Sequence, residues 1–247
     1  MEINEIARAA LLMAAQGDPK KAAEMEAYLA ADPQQQCPAG GVVNAGQAQI
    51  DASKLRSTVL KQLAPDGIYL VFEGGEFDLY KPGQVTEAQK QNCIDVAVKL
   101  GGKSICVSLF DMARGEEITL TAGKDTTGWD GYKDTTLDAG ADWDGKGNTE
   151  HLKAVGLNPE ITLLDGQFIP SVAQWRFICL FRKELNQALA ELGGDELAGW
   201  YWTSTEYSAA YAWYLYLSYG TMYIPTKAST RYRVRAVSAF LPITVKY

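Results

Sequence analysis

The chain has 247 residues, enough for one large domain or two small ones, and its composition, 47% hydrophobic and 21% charged, is that of a globular protein. Thirty acidic residues against 23 basic ones argue against a nucleic-acid backbone as the main partner. No run of about 18 uncharged apolar residues predicts a membrane span, and the acidic opening Met1-Glu2-Ile3-Asn4-Glu5 before the short apolar run Ala9–Ala15 lacks the form of a Sec signal peptide, so display outside a cell is expected to need another route or carrier.

In chain order, Glu2–Ala15 reads as an Ala/Leu/Met-rich amphipathic helix stopped by Gly17-Asp18-Pro19. Asp18 and Pro19 then suit the cap and first position of a second helix reaching about Ala31, making an αα-hairpin. Residues 32–46 read as linker. Ile68–Phe72 is short and rich in β-formers, with Ile68, Leu70 and Phe72 on one face and Tyr69 and Val71 on the other. Gly74-Gly75 turns the chain, and Phe77 and Leu79 answer; Ile94, Val96 and Val98 alternate, Gly101-Gly102 turns, and Ile105, Val107 and Leu109 follow. Two β-hairpins are the simplest account. A rival reading opens a helix at Thr86-x-x-Gln89, a capping box, and runs it through Lys99; strand is preferred for 94–99.

Glu117–Thr121 reads as a short strand and Gly123–Gly147 as mostly loop. Asn148 is expected to cap a helix over Thr149–Val155, and Ile161–Leu164 with Gln167–Ile169 to flank a tight hairpin at Asp165-Gly166. Ser171-x-x-Gln174 opens a helix bearing Val172, Trp175, Ile178, Leu180 and Phe181, and a further helical run over Glu184–Leu192 ends at Gly193-Gly194. Beyond Gly199 the chain reads as strand and loop.

No enzyme signature emerges. The four cysteines, Cys37, Cys93, Cys106 and Cys179, form no C-x-x-C pair. Cys179 is expected as a buried small hydrophobe, and Cys93 and Cys106 approach each other if their segments pair as a hairpin. His151 is the only histidine, which excludes a histidine-based metal cluster, and no G-x-S-x-G elbow accompanies it. Asp142-Trp143-Asp144-Gly145-Lys146-Gly147-Asn148 fails as an EF-hand, because counting from Asp142 puts Lys146 and Lys153 at the fifth and twelfth positions. Turn chemistry before a helix cap is the preferred role there, with an irregular cation site over 130–144 as the alternative. No cofactor and no metal are expected.

The most informative feature is a cluster of tyrosines. Eight of the chain's 13 fall between Tyr201 and Tyr232. Tyrosine offers a large ring and one hydroxyl at small entropic cost, the chemistry of recognition surfaces. Over 212–217, Trp213, Leu215 and Leu217 share one face and Ala212, Tyr214 and Tyr216 the other. The wholly apolar set suits the core, which leaves Tyr214 and Tyr216 facing out. An exposed tyrosine patch marks an interaction site.

Ile169-Pro170-Ser171, Trp202-Thr203-Ser204-Thr205-Glu206, Ala212-Trp213, Lys227 and Arg233-Val234-Arg235-Ala236-Val237 together resemble a C-type-lectin-like domain of diversity-generating retroelement variable proteins, of the kind found in gut Bacteroidales and phage. The segment Asp142 to Thr149 is similar to one upstream in that family, and the resemblance covers roughly residues 117–240. It implies an α+β fold: two helices beside twisted antiparallel sheets with long irregular loops, here preceded by N-terminal helices and β-hairpins. The implied organisation is a helical segment and linker over 1–50, a hairpin region over 51–116 and a ligand-binding domain over 117–247.

In such proteins the codons of a ligand face are rewritten while scaffold codons stay. The positions beside or between the scaffold motifs are Tyr201, Tyr207, Tyr211, Tyr214, Tyr216, Tyr219, Thr221, Tyr223, Pro225, Arg231 and Tyr232. The resemblance thus implies a non-enzymatic protein displaying a diversified tyrosine-rich surface to a protein or surface-glycan ligand. The sugar-binding calcium motifs of animal lectins are absent, as is the C-terminal cysteine pattern of formylglycine-generating enzymes. The alternative is a module of a phage tail fibre or surface fibre whose aromatic face packs on a neighbouring subunit, with the N-terminal helices as a homo-oligomer contact. The expected location is the cytoplasm, a phage particle or the surface of another carrier.

Overall fold

The computed structural model describes residues 64–123 and 129–240. The chain divides after Val59, and all described residues belong to the second unit, Leu60–Tyr247. The two helices expected before residue 32, the linker and Cys37 lie outside the described residues. Within them the protein is mixed α and β, with five α-helices and two antiparallel sheets.

The two expected hairpins form. Strands β1 (Gly67–Phe72) and β2 (Phe77–Leu79) pair in register Leu70 to Asp78. Helix α1 (Glu87–Asn92) follows, then β3 (Cys93–Leu100) and β4 (Lys103–Ser108), paired in register Val98 to Ile105. Both readings of the 86–99 stretch hold in part. Thr86 and Gln89 close a complete capping box, but the helix stops after six residues. From Cys93 the alternating β-branched residues pair with strands on both sides, and tertiary pairing overrides the local helix signal.

The chain then enters a helical layer. Helix α2 (Thr136–Ala141) stands where residues 123–147 read as loop, and α3 (Gly145–Val155) contains the expected helix over Thr149–Val155 and begins four residues before it. The cap of α3 is Asp144, whose Oδ1 accepts the Gly147 amide at 2.9 Å; it is not Asn148. The Asn148 side chain instead turns inward and donates to Asp142 Oδ2 at 2.7 Å. Gly145 is there for room: a Cβ would meet Gln174 Oε1 at 2.2 Å. The expected strand over 117–121 is reduced to two isolated bridges, Ile118 to Tyr232 and Thr121 to Leu157. The expected hairpin at Asp165-Gly166 is a turn without strands, because Phe168 pairs with Val237 rather than across the turn.

Helix α4 (Val172–Leu180) begins at the capping box of Ser171 and Gln174, and α5 (Arg182–Leu192) ends at Gly193 in the left-handed conformation, φ 73°. Strands β5 (Trp200–Glu206), β6 (Ala212–Tyr216), β7 (Thr221–Tyr223) and β8 (Val237–Ser238) complete the described residues. The sheets run β2-β1-β3-β4-β8 and β5-β6-β7.

One core joins the halves. Ile68, Val96, Val98 and Val107 pack with Phe177, Leu185 and Leu189 of the helices and with Tyr201 and Leu215 of the second sheet. β8 also hydrogen-bonds to β4. The hairpins and the C-terminal region bury a shared interior. The other face of β1 carries Tyr69 and Val71 against Phe77 and Phe240, as the alternation predicts.

Candidate functional site

A buried polar frame positions the second sheet. Asp111 and Arg235 are both buried, with Arg235 Nε donating to Asp111 Oδ1 at 2.5 Å. Arg235 also donates to the carbonyls of Ser108, Leu109 and Asp195. The Tyr201 hydroxyl donates to Asp111 Oδ2 at 2.9 Å. Burial, with the Asp111 charge beside it, raises the pKa of that phenol.

The ladder between β5 and β6 shifts register between Trp202 and Glu206, and side chains take over there. Thr203 Oγ1 donates to the Trp213 carbonyl at 2.8 Å, and Thr205 Oγ1 to Asp142 Oδ2 at 2.6 Å. Asp142 also accepts from the Asp144 amide and Asn148, and its carbonyl accepts from Ser171. The Asp142 carboxylate is thus occupied as a hub between α3, α4 and β5. Glu206 and Lys227, both buried, form an ion pair, with His151 Nε2 3.4 Å from Glu206 Oε2. The His151 ring stacks on Trp129 at 4.0 Å, both residues half-buried, so the only histidine is engaged in packing. Among the described residues, no group of three or more His, Cys, Asp or Glu side chains is placed to hold a metal ion.

On this frame stands an aromatic array. Strand register puts Trp200 opposite Tyr216 and Trp202 opposite Tyr214, and Tyr214 opposite Tyr223. The Trp200 and Tyr216 rings stack at 4.0 Å, and Tyr214 and Tyr232 at 4.3 Å. Tyr223 stacks on Tyr214 at 5.8 Å, and Tyr219 packs on Tyr216 at 5.3 Å. Burial, followed by the hydrogen bond with Tyr232, raises the pKa of Tyr214. The array is exposed at its outer members: Tyr219 is 79% and Tyr223 54% accessible, while Tyr214, Tyr216, Tyr232 and Trp200 are half-buried.

The structure brings together Tyr214, Tyr216, Tyr219, Tyr223 and Tyr232, with Thr221 exposed on β7 opposite Tyr216. It separates the others. Tyr201 is 0% accessible, bound to Asp111 and packed on Trp175, so it is a frame residue and leaves the candidate face. Tyr207 packs edge-on against Trp213 in a different cluster, beside Ala139 and Val172. Tyr211, 41% accessible, and half-buried Pro225 lie at the far end of the sheet, where Tyr211 bridges Thr226. Arg231 is exposed, with Nε donating to the Glu117 carbonyl.

Trp200 is the residue that sequence reading missed. It contacts Tyr214, Tyr216, Tyr223 and Tyr232 and is the centre of the array. The signal was its two-residue spacing from Trp202, which puts both on one face of β5. Three clefts of about 390, 510 and 670 Å³ lie elsewhere, around α1 with β2 and along the Tyr132–Asp144 segment.

Cys93, Cys106 and Cys179 are free. Cys106 stands opposite Ala97 in the β3–β4 ladder, not opposite Cys93. Burial pushes the Cys106 thiol up to about 12 and that of Cys179 to about 11, so both are protonated near neutral pH. Cys179 is half-buried against the core rather than fully enclosed.

No protein-family model matches the chain, and a comparison with curated proteins finds no significant match.

Proposed function

We propose that this protein is a non-enzymatic binding protein whose ligand face is the array of Trp200, Tyr214, Tyr216, Tyr219, Tyr223 and Tyr232, displayed on a C-type-lectin-like scaffold of the retroelement-diversified kind. The observation that carries the reading is a division within one small sheet. The motif residues Trp202 to Glu206, Ala212-Trp213, Lys227 and Arg233 to Val237 are buried except for half-buried Arg233, and the tyrosines between them reach solvent. A fold gains little from two rings as exposed as Tyr219 and Tyr223, whereas an interface gains from rigid aromatic anchors.

The binding test is selection of a random-peptide display library on the full chain. Captured peptides are expected to lose the Tyr219→Ala/Tyr223→Ala variant, with thermal stability nearly unchanged; capture indifferent to that change contradicts the reading. The retroelement component has its own test in the neighbouring DNA. A reverse transcriptase gene and a near-copy of the 3′ coding end differing at adenines are expected, and their absence removes the diversification claim while leaving the ligand face. Light scattering checks the fibre-module reading: an obligate oligomer whose assembly fails in the same double variant assigns those rings to a subunit contact.

A further inference from the structure

Among the described residues two ion pairs are buried on both sides, Asp111 with Arg235 and Glu206 with Lys227. Their chemistry differs. A guanidinium stays protonated and is no nucleophile, so the first pair does nothing but attract. A lysine amine held against a carboxyl group has a second course, loss of water to form an amide. That course needs contact, exclusion of water and a donor at the oxygen that gains charge.

All three are present around Lys227. Its Nζ donates to Glu206 Oε1 and, at 3.2 Å, to the Ser208 carbonyl. The two side chains are 1% and 0% accessible. Both backbones are fixed: Glu206 pairs with Ala212 across the β5–β6 ladder, and Lys227 donates its amide to the Ala210 carbonyl and accepts the Leu120 amide. At the other carboxylate oxygen, Oε2, stands His151 Nε2, 3.4 Å away. That nitrogen is sealed from solvent and makes no hydrogen bond among the described residues. The stack on Trp129 holds its ring in place.

We propose that Glu206 and Lys227 condense into an intramolecular isopeptide bond. One proton of the ammonium passes to Oε1, leaving a neutral amine against a neutral acid. Nζ attacks Cδ, and the charge that develops falls on Oε2, where His151, with its proton on Nε2, donates to it. Nζ gives a second proton to Oε1, the Cδ–Oε1 bond breaks and water leaves. One N–C bond forms, one C–O bond breaks, and nothing is oxidised or reduced. In water, hydration of the two ions opposes this reaction. In this interior that hydration is missing, and the amide removes both charges from it. The bond closes a covalent ring over 206–227 that contains β6 and β7, so it ties the base of the aromatic face to the end of β5 whatever that face binds.

The test is the intact mass of the purified full chain, with a digest to place any change. The chain is expected to weigh one water less than its sequence requires. Cleavage at the aromatic residues from Tyr207 to Tyr223 is expected to leave the fragments bearing Glu206 and Lys227 joined. Lys227→Arg keeps a cation beside Glu206 but offers no amine, and is expected to show the full mass. His151→Phe keeps a ring against Trp129 and removes the donor at Oε2; water loss, followed by mass on freshly made protein, is expected to slow about a hundredfold. Full mass in the wild-type chain, with the two fragments separating on digestion, overturns the bond and leaves the pair ionic. A missing water that maps to Asp144-Gly145 or Asp165-Gly166 overturns it equally. Condensation at an unchanged rate in His151→Phe overturns the histidine's part.

Discussion

Tyr201 and Tyr223 sit on the same three-stranded sheet and differ in almost everything else. Tyr201 is sealed, its hydroxyl fixed on Asp111 in a network that Arg235 ties to β4 and to the loop before β5. Tyr223 is more than half exposed, and its ring packs on those of Tyr214 and Trp200. Around Tyr201 the contacts are directional and buried, so they define one backbone geometry. Around Tyr223 they are stacking contacts that many side chains could replace. A sheet built this way holds its shape from one face and leaves the composition of the other nearly free.

Several substitutions sharpen or break that contrast. Arg235→Met leaves the Asp111 carboxylate buried without its closest cation and is expected to cost about 3–5 kcal/mol in urea unfolding. A loss near zero denies the frame its role. Asp95 tests the frame in the other direction. Burial raises its pKa from 3.8 to about 6, with the Ser108 hydrogen bond opposing. Because the folded pKa lies above the unfolded one, the residue's penalty is absent below about pH 4, grows between there and about pH 6, and is complete above. Asp95→Asn is therefore expected to gain about 2–3 kcal/mol at pH 7 and nothing near pH 3.5, read from unfolding at both values. An equal effect at both pH values contradicts the cause given. Tyr201→Phe removes the buried hydroxyl that donates to Asp111 and is expected to cost about 1–2 kcal/mol. Tyr223→Ala is expected to stay within about 0.5 kcal/mol, since it removes an exposed ring that fixes nothing else. Equal losses for the last two erase the distinction between frame and face.

What was legible in the sequence was what the chain decides locally. The capping boxes at Thr86 and Ser171, the stop at Gly193 and the alternation over 68–72 and at Val96 and Val98 each depend on residues close in sequence, and each is found in place, whereas Ile94 of the same alternation is exposed. What misled was decided at long range. Asn148 fits a helix cap as well as Asp144 does, and only the buried Asp142 explains why its amide is used elsewhere. Residues 117–121 have the composition of a strand, but the partners that reach them, Tyr232 and Leu157, each supply a single bridge. Tyr201 was misread and Trp200 missed for one reason. Trp200-Tyr201-Trp202 places aromatic residues on both faces of a strand, so alternation alone does not say which face is inside. Register with Tyr216 and the carboxylate of Asp111 decide it.

The most direct test of the division between frame and face needs no ligand. Each of Tyr201, Thr205, Glu206 and Arg235, and each of Tyr219, Thr221 and Tyr223, is replaced in turn by every other residue on the full displayed chain, and the variants are sorted by resistance to proteolysis. The account predicts that the first four positions accept little beyond the native residue and the last three accept most residues. Comparable intolerance at Tyr219, Thr221 and Tyr223 would place those residues in the scaffold and contradict the account.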